Sequence, residues 1–241
     1  MQEAKPHPKL YDFMTLQLYS FMTLQLCSYL YTINIIYMKT LYILPVLLLI
    51  IGCKSASSDK PSGVFSATSE NGLAVGTITF EGDVPRNDIY RFLYQPTSDD
   101  KKFIKKNEGK IEIKARDGKK RGFTGDFGEK KSYVFVIERA PGKYNFTQHT
   151  VLSGLGSMGN VNFSKLYGIP FEIKKGEITY LGELSYNDNA LPGDPRIVVY
   201  DRYDRDLAEL KKKYPNIDWK LASDKTPKSG NKGEGNIIDF R

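Results

Sequence analysis

The sequence predicts a mainly β fold, an antiparallel β-sandwich of about seven strands with one C-terminal helix. Three observations carry that prediction. Many short runs alternate apolar and polar side chains, which is the period of strands with one buried face. Turn-forming pairs such as Gly82-Asp83, Asp117-Gly118 and Pro141-Gly142 punctuate those runs. Only the stretch around Asp204–Lys213 has helical spacing together with helical end signals.

The first strand runs from Leu73 to Glu81, where Val75, Thr77 and Thr79 alternate with Ile78 and Phe80. Ile89 to Gln95 is the second, bracketed by Pro85 and Pro96, and Ile111 to Ala115 is a short third. Tyr133 to Ile137 is apolar on both parities, so it is expected to be a central strand covered on both faces rather than an edge. Tyr144 to Val151, Phe171 to Lys174, Ile178 to Leu184 and Arg196 to Tyr200 complete the set, with Lys175-Gly176 expected as a tight hairpin turn. The helix is predicted over 205–213: acids open it, Lys211–Lys213 close it, Asp206 and Glu209 have capping-box spacing, and Pro215 stops it. Leu207, Leu210 and Tyr214 share the face that would dock on the sheet. These elements place the sandwich domain at 73–223, and the Lys-, Gly- and Asn-rich residues 224–241 are expected to be a disordered tail.

Upstream of the domain, Met38-Lys39 is followed by an unbroken apolar run from Leu41 to Ile51, then Gly52-Cys53. The run is too short to span about 30 Å of hydrocarbon, which needs about 20 apolar residues, and its order is that of a secretory signal. Ile50-Ile51-Gly52-Cys53 resembles the lipobox of bacterial lipoproteins. That resemblance implies cleavage before Cys53 and alkylation of its thiol by a diacylglyceryl group. Residues 38–52 are then a signal peptide and 53–72 a flexible tether rich in Ser, Lys and Asp. Residues 1–37 hold a tandem octapeptide, Phe13–Ser20 repeated as Phe21–Ser28, too short to stack as a solenoid. They are expected to be an extension upstream of the true start at Met38, with an amphipathic anchor at a membrane interface, suited by their Tyr and Leu, as the alternative. Lys54 follows the cysteine where no Asp appears, which resembles the sorting habit of some Gram-negative bacteria and implies the outer membrane of a bacterial cell envelope.

Composition excludes several chemistries. Three of the 35 bases and two of the 28 acids precede Cys53, leaving 32 and 26 and a mild net charge of +6. Cys27 lies upstream of the cut and Cys53 would be acylated, so the exported domain has no thiol for a disulfide, a metal or a nucleophile. His149 is its sole imidazole, which excludes His-paired zinc sites. No cofactor and no metal site are expected.

The run Ala140-Pro141-Gly142-Lys143-Tyr144, with Phe171 to Leu184 some thirty residues on, resembles the carboxypeptidase-regulatory-like, immunoglobulin-type sandwich of bacterial envelope lipoproteins. The resemblance implies a seven-strand, Ig- or prealbumin-like fold with an accessory role, and it carries over no catalytic residues.

Other features are candidates for sites. Gly154-Leu155-Gly156-Ser157-Met158-Gly159 has the letters of a dinucleotide loop, yet no helix follows it. The bases between Lys101 and Lys131 are interleaved with acids and read as a solvated face or a patch for an anionic envelope polymer. Asn187-Asp188-Asn189 and Asp194 offer oxygens for calcium, with an Asx-rich turn as the plainer reading. Asp201, Asp204 and Asp206 could pair for glycan hydrolysis, but a helix N-terminus already accounts for them. His149 has no serine or acid at a recognisable spacing and is expected to be structural or exposed. The expected function is a lipid-anchored envelope protein, anchored at Cys53, whose sandwich binds or scaffolds an envelope protein or anionic polymer, not nucleic acid. A subunit or accessory of an envelope assembly or transporter is the alternative, and an envelope hydrolase comes third.

Overall fold

The computed structural model describes residue 61 and residues 65–82, 85–114, 125–128, 131–154 and 159–241. The signal segment, Cys53, most of the tether and Leu155–Met158 lie outside the described residues. Among those described are eleven strands and two helices: β1 (Gly72–Glu81), β2 (Ile89–Pro96), α1 (Lys101–Asn107), β3 (Gly109–Lys114), β4 (Ser132–Arg139), β5 (Gly142–Ser153), β6 (Asn160–Phe163), β7 (Ile169–Ile173), β8 (Ile178–Asn187), β9 (Ile197–Tyr200), α2 (Tyr203–Lys213), β10 (Ala222–Asp224) and β11 (Ile238–Phe240). The fold is mainly β and is built from two sheets.

The first sheet runs β11-β9-β8-β1-β4, with β10 also on β8; the second runs β3-β2-β5-β6, with β7 also on β5. Period-two alternation assigns each face. Ala74, Ile78 and Phe80 of β1 and Phe135 and Ile137 of β4 meet Tyr90, Phe92, Tyr94, Phe146 and Phe171 of the second sheet in one core. Many of its aromatic pairs pack edge to face, as with Phe135 and Phe146 at 6.0 Å, while Tyr144 and Phe171 stack.

The opposite parity of the first sheet is also buried. Leu73, Val75, Val134, Val136, Ile178 and Tyr180 form a second core under Leu210, Ile217 and Trp219, with Leu207 and Tyr214 packed against it. The helix face read from sequence therefore docks as expected. Each side chain of that size removed from water contributes about 1.5–3 kcal/mol.

Several expectations are corrected. The sandwich is not purely antiparallel: β1 with β8, β10 with β8 and β11 with β9 are parallel pairs. Parallel neighbours need a crossover, and here the second sheet lies between β1 and β8 in the chain. β4 is covered on both faces, but it stands at the end of the first sheet rather than at its centre. Lys175-Gly176 does not close a hairpin, because β7 belongs to the second sheet and β8 to the first. The turn carries the chain between them, with Gly176 at φ +67° and an added Cβ only 2.2 Å from the Ala67 carbonyl oxygen.

A second helix, α1, stands where only strand and basic loop were expected. Asp100 caps it by accepting from the Lys102 N–H at 2.8 Å. α2 begins at Tyr203, two residues before the expected start, so Asp206 lies past the cap. Residues 224–241 are not a free tail. They return over the sandwich, and β11 pairs with β9 through a fully buried Ile238. The end of the tether is also tied down: Phe65 is buried and bridges to Ile217. Among the described residues no helix is long and apolar enough to cross a membrane.

Candidate functional site: an open cleft beside His149

A cleft opens at the side of the second sheet where β6 is the edge strand, with a volume of about 540 Å³, in the usual range of about 300–1,000 Å³ for small-molecule sites. Five parts of the chain build it. β5 supplies His149 and Val151, and β8 supplies Tyr186. β6 and the residues after it contribute Asn162, Phe163 and Lys165; the β8–β9 loop contributes Leu191, Asp194 and Arg196; Glu234 and Ile237 close the end.

His149 is placed by backbone geometry. Its N–H donates to Ser164 Oγ at 3.0 Å, and the Ser164 N–H donates back to the His149 carbonyl at 2.9 Å. This reciprocal pair locks the end of β6 to β5 and turns the ring among Phe92, Tyr167 and Tyr186, with centroids 6.1, 5.8 and 5.1 Å away. The residue is only 6% exposed, and among the described residues neither its Nδ1 nor the Tyr167 hydroxyl has a hydrogen-bond partner. Burial, reinforced by the Arg196 charge, depresses the imidazole pKa to about 3. At neutral pH the ring is uncharged and a poor base, and among the described residues no carboxylate orients it.

The cleft's ionic groups are largely occupied. The Arg196 guanidinium donates to the carbonyls of Asn187, Asp188 and Ala190 at 2.9–3.2 Å and so holds the β8–β9 loop in place. Lys165 pairs with Glu234 at 3.3 Å across the mouth. Behind the loop, Asp188 accepts from the Arg86 N–H at 3.0 Å, from Asn87 Nδ2 at 3.1 Å and from the Tyr90 hydroxyl. Burial and that bond to Asp188 raise the Tyr90 pKa well above its ordinary value. The Asn187–Asn189 segment is thus an Asx-type turn, in which Asn187 Oδ1 accepts from the Asn189 N–H at 2.8 Å. The rim is apolar and wet: Phe163 is 68% and Leu191 69% exposed.

The aspartates of α2 do not converge on this cleft. Asp206 is completely buried on the other side of the first sheet, accepting from Thr77 Oγ1 and the Tyr180 hydroxyl at 2.6 Å each and from Arg205 Nε at 2.7 Å. Arg205 also reaches Glu183, which takes a further bond from Thr79. Asp201 accepts from the Tyr203 N–H, and Asp204 is exposed. This network fastens the helix to the sheet. Among the described residues no group of three or more His, Cys, Asp or Glu is placed to hold a metal ion.

The remaining candidates fall elsewhere. Asn160–Phe163, after the glycine-rich stretch, is a strand where a dinucleotide loop would open a helix. In the basic stretch, α1 exposes Lys101, Lys102, Lys105 and Lys106, while Glu112 pairs with Arg91 at 2.7 Å and Lys110 at 3.3 Å. Sequence reasoning missed the cleft because its parts are spread over eighty-odd residues, from His149 to Ile237. The one signal available was the Asn-Val-Asn-Phe alternation at 160–163, which sets Phe163 at the mouth. Comparison with family models, with curated proteins and with solved structures returned no match.

Proposed function

We propose that the chain is a lipid-anchored binding protein of a bacterial cell envelope, held to the outer membrane by an acylated Cys53 and presenting its two-sheet domain to a ligand. The fold is consistent with an immunoglobulin-type sandwich, with α2 and the returning C-terminal segment as additions to it. One observation carries the binding reading: an open cleft of about 540 Å³ whose rim leaves Phe163 and Leu191 in water. Exposed aromatic and aliphatic side chains around a concavity are the feature of surfaces that bury them on binding. The cleft's imidazole is neutral and unpartnered, and the buried carboxylates Asp206 and Glu183 are bonded to Arg205 on another face. That arrangement favours binding over hydrolysis.

A second reading, an accessory subunit of an envelope assembly, is favoured by β6 itself, an edge strand exposed along its whole length. Two experiments test the proposal. Cys53→Ala should abolish acyl labelling and release the chain from membranes, since two or more acyl chains hold where one does not; retention through a carbonate wash would overturn the anchor. A photo-reactive residue at position 163 should capture a partner in intact cells, and one on Lys143 should not. Equal capture at both positions would remove the cleft from the function.

A further inference from the structure

The chemistry of the cleft narrows what can occupy it, and this step rests on the binding role proposed above. Its four ionic side chains cancel in sign: Lys165 and Arg196 against Asp194 and Glu234. Neither cation is spare, because Arg196 is held by three carbonyls and Lys165 by Glu234. An anionic ligand would therefore have to displace existing partners, and a purely apolar one would strip water from Asp194 without compensation. The imidazole is neutral and its Nδ1 is buried, so what it can offer a ligand is Nε2, a donor in one tautomer and an acceptor in the other, and a hydroxyl group suits either. Phe163 and Leu191 then require an apolar face on the same molecule.

A ligand that is uncharged, rich in hydroxyls and apolar on one face is a sugar ring. We infer that the cleft is a subsite for a neutral carbohydrate unit, its ring laid against Phe163 and its hydroxyls facing Asn162, Asp194 and the His149 imidazole. The unit can be free or can belong to a surface polysaccharide; the volume admits a short oligosaccharide and not a folded protein.

The test uses the full detergent-solubilised chain on an array of neutral and anionic oligosaccharides. Binding to neutral glycans that is insensitive to salt is expected, because no net charge is engaged. Phe163→Ala should weaken it by about tenfold or more, corresponding to the loss of about 1.4 kcal/mol. Phe163 is exposed, so this variant leaves the core intact. Leu166→Ala, equally exposed but outside the cleft, should leave binding unchanged. Binding confined to anionic glycans and weakened by salt would overturn the inference, as would neutral-glycan binding that survives Phe163→Ala. If no glycan binds while position 163 still captures a protein in cells, the sugar inference falls and the binding role stands. If neither occurs, both fall.

Discussion

Removing the carboxylate of Asp206 should loosen the helix layer by a predictable amount. In Asp206→Ala, the Thr77 and Tyr180 hydroxyls keep their buried positions and lose the acceptor they share at 2.6 Å. A buried polar group left unpaired costs about 1–3 kcal/mol, so the two hydroxyls together set a loss of about 2–6 kcal/mol. Arg205 adds little, because it is half-exposed and retains Glu183. Breaking one partner out of a buried charge network costs about 3–5 kcal/mol in general, which agrees with the middle of that range. The assay is urea denaturation followed by fluorescence of Trp219, the chain's single tryptophan, which packs in the second core with Leu210 of α2. Asp206→Asn keeps an acceptor and should recover part of the loss, while Asp204→Ala on the exposed face should change stability by less than about 0.5 kcal/mol. A loss below about 1 kcal/mol in Asp206→Ala would refute the view that this carboxylate fastens the helix to the sheet.

Two further outcomes follow from the same geometry. The folded His149 pKa is depressed to about 3, so the unfolded chain binds more protons below about pH 6.5; stability contributed by the neutral ring is present above that value and falls as pH drops toward 3. Between about pH 7.5 and 5 the parent should lose about 2 kcal/mol more than His149→Gln, and parallel pH profiles would show that the ring is not buried neutral. Truncation after Asp224 removes β11 and the buried Ile238, and should destabilise the domain, as should Ile238→Ala by about 2 kcal/mol or more. An unchanged melting temperature on truncation would return residues 225–241 to the status of a tail.

What could be read in advance depended on whether the information was local. The two-sided burial of β4 is written in Val134, Phe135, Val136 and Ile137, since each parity is apolar. Its place at the end of the sheet is not, because an edge strand roofed by α2 has the same composition as a central one. The docking face of α2 is legible as Leu207, Leu210 and Tyr214 at helical spacing. The role of Asp206 is not: an acid in the first turn already suits the helix dipole, and nothing nearby in sequence announces Thr77 and Tyr180. β11 is three residues at the end of a polar stretch, and its pairing with β9 joins segments about forty residues apart. The cleft suffers most, since His149, Phe163, Arg196 and Glu234 become neighbours only after both sheets and the C-terminal segment have assembled.

The claim that the cleft is occupied in its native setting is tested most directly by amide hydrogen exchange on the chain in isolated envelopes and after purification in detergent. The segments that frame the cleft, 160–165 and 187–196, should exchange more slowly in the envelope, while α1 and its lysines exchange at the same rate in both. Equal rates at the cleft in the two preparations would contradict the account.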